Sequence, residues 1–160
     1  MSDGIAFGCA AFCTYPKLNK GSTLTKFRSQ NAGQNCIGIE RLLVHTSQYN
    51  ELYQLILARA RDLRMGAGLA ADGVGTGVDV GSMISRDRFR TLQDRIEAAE
   101  SQGAQVDSGG KPLAHPYLDH GCFFEPTVIG EVRQDMDVAQ HERKFSIHTQ
   151  TLVRVDVAVA

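Results

Sequence analysis

The chain has 160 residues, 42% of them hydrophobic, with 17 basic and 18 acidic side chains and a formal net charge of -1. That is enough apolar material for one domain-sized core, and so small a net charge excludes a field that would hold nucleic acid or an anionic membrane surface. No apolar run approaches the ~20 residues of a bilayer-spanning helix, so we expect no membrane segment, no nucleic-acid partner and a cytoplasmic location.

In chain order, Ile5 to Cys13 is apolar but follows Asp3 rather than a basic stretch and shows no small-residue cleavage pattern, which argues against a secretory signal. Up to residue 29 the sequence has no period: Lys17, Lys20, Lys26 and Arg28 are scattered among small and polar residues, and the segment is expected to be irregular. The run Arg41 to His45, with Leu42-Leu-Val44 at its centre, reads as a buried strand. A helix follows. Ser47 is its expected cap, Tyr49, Leu52, Tyr53, Ile56 and Ala60 recur at helical spacing, and Arg59, Arg61 and Arg64 gather near its C-terminal end.

Six glycines between Gly66 and Gly81 mark a surface loop. Ser85 then caps a second expected helix with apolar positions Phe89, Leu92, Ile96 and Ala99, and Gly103 stands where a glycine would end it. Ala104 to Val106 is expected to be extended, Ser108 to Pro112 a turn, and Phe123 to Val132, which carries Pro126, an edge strand. Near the C-terminus, Leu152 to Val159 alternates as a strand does. Strands alternating with helices imply an α/β layer arrangement.

Of the four cysteines, Cys9, Cys13, Cys36 and Cys122, none falls in a disulfide-framework spacing, and all four read as reduced thiols. Cys36 sits in Asn31-Ala-Gly-Gln-Asn-Cys36. A tight turn at Gly33, with the backbone N–H groups of Gln34 and Asn35, could stabilise a thiolate and later an oxyanion; the competing reading is a small buried hydrophobe. His115, His120 and Cys122 could be read as metal ligands, yet their spacing matches no standard zinc pattern. Gly73-Val-Gly-Thr-Gly77 lacks the G-x-G-x-x-G spacing of a dinucleotide loop. Glu142 is a carboxylate in a polar run.

Taken together, these stretches resemble the aldehyde dehydrogenase superfamily. Residues 31 to 36 resemble its N-x-G-Q-x-C nucleophile motif, and Asp79 to Ser85 the segment before an amphipathic helix, written G-P-x-I-S, with Ser82-Met83 departing from the proline form. Ile96 to Ala99, Gly103-Ala104 and Gly109-Gly110 follow the I-x-x-A, G-A and G-G run; Gly121 to Val128 resembles G-x-F-x-x-P-T-V, and Met136 to Glu142 the approach to E-x-F-G-P. The similarity covers Gln30 to Glu142 in register, dividing the chain into an unmatched segment 1-29, a partial catalytic domain 30-142 and an unmatched segment 143-160.

The resemblance implies an α/β fold, a three-layer catalytic domain with a mostly parallel sheet. It implies that Cys36 attacks an aldehyde, that hydride passes to NAD or NADP, that water cleaves the resulting thioester, and that Glu142 binds the nicotinamide ribose. It leaves room for a homo-oligomer and implies no metal. The family's E-L-G-G-K-like motif has no counterpart here, and Phe145 lies one place later than E-x-F-G-P requires, so the expectation is a truncated chain with impaired activity. The competing readings are a non-catalytic fragment, inert or associating with full-length subunits, and a thiol or metal protein using Cys36, Cys122 and His120.

Overall fold

A computed structural model describes residues 10–13, 30–34, 41–67, 77–116, 118, 120–140 and 151–155. The apolar run after Cys36 forms a strand, β2 (Arg41–His45), flanked by β1 (Ala10–Cys13) and β5 (Thr151–Val155), both parallel to it. The register pairs Phe12 with Leu43 and Leu43 with Val153. The expected strand at 41–45 is therefore present, and so is one within the alternating C-terminal run. β1 corrects the expectation that everything before residue 30 is irregular. A four-residue Ala-Ala-Phe-Cys strand has too little length to show a period, and its hydrogen-bonding partner lies some thirty positions downstream.

Helix α1 (Thr46–Asp62) leaves β2 directly. It begins one residue before the expected cap, placing Ser47 inside its first turn. Leu52, Ile56, Leu57 and Ala60 are buried, while half-buried Tyr49 and Tyr53 stack with ring centroids 6.1 Å apart. Two small apolar clusters share Tyr53: one joins Val44 of β2 to Leu52 and Ile56, the other joins Leu57 and Ala60 to Val128. Arg59 and Arg61 occupy the last turn, where cations meet the negative end of the helix dipole.

Most of the expected glycine loop, residues 68–76, lies outside the described residues, but its two flanks are fastened together. Met65 and Val80 form a parallel bridge, the Gly66 amide donates to the Val80 carbonyl at 3.1 Å, and the Arg64 guanidinium pairs with Asp79 at 2.9 Å.

Helix α2 (Asp87–Ser101) buries Phe89, Leu92, Ile96 and Ala99, the four positions its spacing marks. The cap position falls on Arg86, whose side chain makes no capping bond, and not on Ser85 as expected; Ser85, one residue earlier, still accepts from the Asp87 amide at 3.1 Å. At the other end Gly103 has φ +98°; its amide donates to Glu100 O and that of Ala104 to Ala99 O. These paired bonds, with buried Ala104 against buried Ala99, satisfy the last carbonyls in a Schellman arrangement.

β3 (Gln105–Ser108) and β4 (Val128–Gly130) pair antiparallel, Val106 opposite Ile129, and α3 (Asp137–Gln140) follows. The expected strand over 123–132 thus shrinks to three residues, with one further antiparallel bridge between Pro112 and Phe124. The main core joins α2 to this ribbon: Phe89, Leu92 and Ile96 pack with Phe124, Ile129, Met136 and Val138, Phe89 meeting Phe124 edge-on at 5.4 Å. Ala32, from the turn that precedes Cys36 in sequence, belongs to the same core.

Candidate active site

Cys36 and Glu142, the two expected site residues, lie outside the described residues, as does Asn35. The turn leading toward Cys36 is described, and its geometry is unusual. Asn31, Ala32 and Gly33 all have positive φ, at 53°, 52° and 75°. Glycine adopts that region freely and asparagine tolerates it. Alanine rarely does, at a penalty of about 1–2 kcal/mol. Burial holds Ala32 there, because its methyl sits in the main core at 7% exposure.

Gln34 and Asn31 close this turn on each other. The Gln34 amide donates to Asn31 O at 3.0 Å, Gln34 Nε2 donates to the same oxygen at 2.9 Å, and Asn31 Nδ2 donates to Gln34 O at 3.1 Å. This corrects one detail of the sequence reading: the Gln34 N–H is engaged within the turn and does not point a vacant donor at a thiolate. The remaining acceptor, Gln34 Oε1, takes the Ile84 N–H at 3.1 Å across fifty residues of sequence.

From Ile84 the connections continue. The Met83 amide donates to Cys122 O at 2.6 Å, and the Arg86 guanidinium donates to Gly121 O through Nε and Nη2, at 3.0 and 2.8 Å. The segment before α2 is therefore bonded on one side to the turn ahead of Cys36 and on the other to the G-x-F stretch. Three separated motifs meet through one backbone–backbone bond, Met83 to Cys122, and through the Gln34 and Arg86 side chains bonded to backbone groups. Sequence reasoning missed this role of Gln34, because nothing local to it signals a partner at Ile84.

The diglycine is placed by a close approach. A Cβ on Gly109, φ +72°, would overlap the Pro126 carbonyl and stand 2.8 Å from Thr127 Oγ1. Thr127 is fully buried; its hydroxyl accepts from the Gly110 amide at 2.9 Å and donates to Glu125 O at 2.8 Å. Nearby, the Tyr53 hydroxyl donates to Asp107 Oδ2, and Arg61 donates to Asp107 O at 2.8 Å. Burial, then the bond to Asp107, push the Tyr53 hydroxyl well above the usual phenol range.

Cys122 is a half-buried free thiol, and His115 and His120 are exposed. Among the described residues no group of three or more His, Cys, Asp or Glu comes together as a metal site would require. No helix among them is long and apolar enough to cross a membrane. The surface hollows include one of about 340 Å³ bordered by Ile84, Ser85, Asp87 and Arg88, and one of about 380 Å³ whose lining includes Arg61, Met65, His115 and Glu125.

The fold is an α/β domain in which a parallel sheet and an antiparallel ribbon are joined by two helices. The sequence model of the aldehyde dehydrogenase family matches residues 21–144. The 3-sulfolactaldehyde dehydrogenase of Pseudomonas putida is 38% identical over 126 residues, 79% of this chain and 24% of that protein. Succinate-semialdehyde dehydrogenase [NADP(+)] 2 of Schizosaccharomyces pombe is 32% identical over 138 residues, 84% of this chain and 26% of its own length. Among solved structures, a 3,6-anhydro-L-galactose dehydrogenase superposes with a TM-score of 0.78 at 25% identity, over 94% of this chain and 30% of that one. A betaine aldehyde dehydrogenase from Staphylococcus aureus, solved with NAD+, gives 0.77 at 25% identity, over 91% and 28%. The chain belongs to the aldehyde dehydrogenase family. It spans about a quarter of the length of these curated relatives.

Proposed function

We propose that this polypeptide serves NAD- or NADP-dependent oxidation of an aldehyde to a carboxylic acid, with Cys36 as the nucleophile. The observation that supports it most is the closed left-handed turn Asn31–Gly33, bonded through Gln34 and standing in the N-x-G-Q-x-C position directly before Cys36. A turn fixed in this way is what a nucleophile needs to be held at a constant attack angle.

In this reading the Cys36 thiolate adds to the aldehyde carbon and forms a C–S bond, the carbonyl electron pair moving to oxygen as a thiohemiacetal oxyanion held partly by the Cys36 N–H. A nicotinamide cofactor supplies the acceptor for the hydride that leaves that carbon, and Glu142 is the residue assigned to its ribose. Water then cleaves the thioester, releasing the carboxylate and two protons and returning the thiolate. The relatives named above act on semialdehydes and other small aldehydes by name, which makes a small polar aldehyde the first class to try.

The test has two parts. Site-resolved alkylation by iodoacetamide, read by peptide mass spectrometry, compares Cys36 with Cys122. NADH or NADPH formation is followed with an aldehyde panel. Cys36 reacting at least tenfold faster than Cys122 at pH 7, with turnover abolished in Cys36→Ala, supports the reading. A Cys36 no more reactive than Cys122, or turnover that survives Cys36→Ala, overturns it.

A further inference from the structure

We infer that Gln34 is a positioning residue for Cys36, acting by coupling the turn before the nucleophile to the backbone at Ile84; the inference rests on reading Cys36 as the nucleophile. The Gln34 side chain makes one bond in each direction. Its Nε2 donates back to Asn31 O at 2.9 Å, and its Oε1 accepts from Ile84 N at 3.1 Å. The carboxamide donates to a carbonyl through one atom and accepts from an N–H through another, so neither a carboxylate nor an apolar group of that length reproduces the arrangement.

Its placement makes the coupling mechanical. The turn holds three consecutive positive-φ residues, two of them not glycine, a conformation that persists only where surroundings impose it. Ala32 is pinned from inside by the main core. Gln34 pins the outer end, two residues ahead of Cys36 in the chain. The anchor at Ile84 is itself held, since its neighbour Met83 is bonded to Cys122 O and Arg86 to Gly121 O. Removing the Gln34 side chain leaves the turn held by Ala32 in the core and by the two bonds between Asn31 and the Gln34 backbone, but cuts its tie to the backbone at Ile84.

The consequence falls on reactivity rather than substrate binding. A displacement of about 1 Å at a reacting group lowers rate by about 10²-fold. Gln34→Met keeps length and removes both bonds. Gln34→Glu keeps an acceptor for Ile84 N–H and removes only the donor.

The experiment measures the pH profile of Cys36 alkylation in the full chain and both variants, with Cys122 as internal reference and circular dichroism as the check on folding. We expect Gln34→Met to slow Cys36 alkylation at pH 7 by about tenfold or more and to move its profile to higher pH, with Cys122 unchanged. Where turnover is measured, kcat falls by a similar factor and KM stays within about threefold. Gln34→Glu should recover part of the kcat loss. A folded Gln34→Met with the wild-type alkylation profile overturns the inference; should that variant fail to fold, Gln34→Lys, which keeps a donor and removes the acceptor for Ile84 N–H, overturns it in the same way if its profile and kcat equal wild type. Wild-type Cys36 no faster than Cys122 instead defeats the assignment of Cys36, a result distinct from either.

Discussion

Ala32 combines two properties that usually exclude each other, a left-handed backbone at φ 52° and a side chain in the main core. Replacement by glycine relieves the backbone and forfeits a buried methyl, so Ala32→Gly is expected to lie within about 1 kcal/mol of wild type in urea unfolding. Ala32→Val adds branching where φ is positive and volume where the core is filled, and should destabilise by about 2 kcal/mol or more in the same measurement. Tyr53 gives a residue-scale pH dependence. Its folded-state pKa is raised, chiefly by burial and then by the bond to Asp107, so the folded protein holds the phenol proton more tightly than the unfolded chain. The associated stability is complete below the unfolded phenol value of about 10 and is lost as pH rises toward the higher folded value. Denaturation midpoints above that pH should therefore fall more steeply in wild type than in Tyr53→Phe; parallel curves would count against the assignment.

Helix α2 shows what a local pattern can carry. Phe89, Leu92, Ile96 and Ala99 repeat with the period of the helix and all four are buried, and Gly103 is the left-handed residue its position implies. Gly103→Ala should cost about 1–2 kcal/mol through strain at φ +98°. At Gly81 an added methyl would meet no atom within 4 Å and φ is not positive, so Gly81→Ala should change stability by less than about 0.5 kcal/mol; thermal unfolding of the pair separates the two. Other elements were beyond local reading for a physical reason. β1 exists by pairing with β2, and no feature of Ala-Ala-Phe-Cys announces that partner. The same holds at the site: the Gln34 to Ile84 bond spans fifty residues, and alanine at position 32 gives no hint of a left-handed backbone. The motifs were legible in sequence, but the bonds that tie them together depend on the fold.

Among the described residues, packing is uneven. The main core gathers α2, the ribbon and the turn at Ala32, while β2 and α1 rest on two small clusters that share Tyr53. Local opening follows the least packed parts first. Hydrogen exchange read by mass spectrometry should show slowest exchange in peptides covering Leu92 to Ala99 and Ile129, and faster exchange in those covering Thr46 to Leu52; the reverse order would contradict this division of the core.

The fastened neck of the glycine loop has a consequence for engineering. With Met65 bridged to Val80 and Arg64 paired to Asp79, the two ends of residues 68–76 are held together by bonds outside that stretch, and lengthening it adds a closure entropy that grows only with the logarithm of length. That makes it a port for grafting: a short Gly-Ser epitope inserted after Asp72 should leave the unfolding midpoint nearly unchanged in the parent chain, and Asp79→Ala, which removes an exposed ion pair while the Met65–Val80 bridge stays, should add little to its cost.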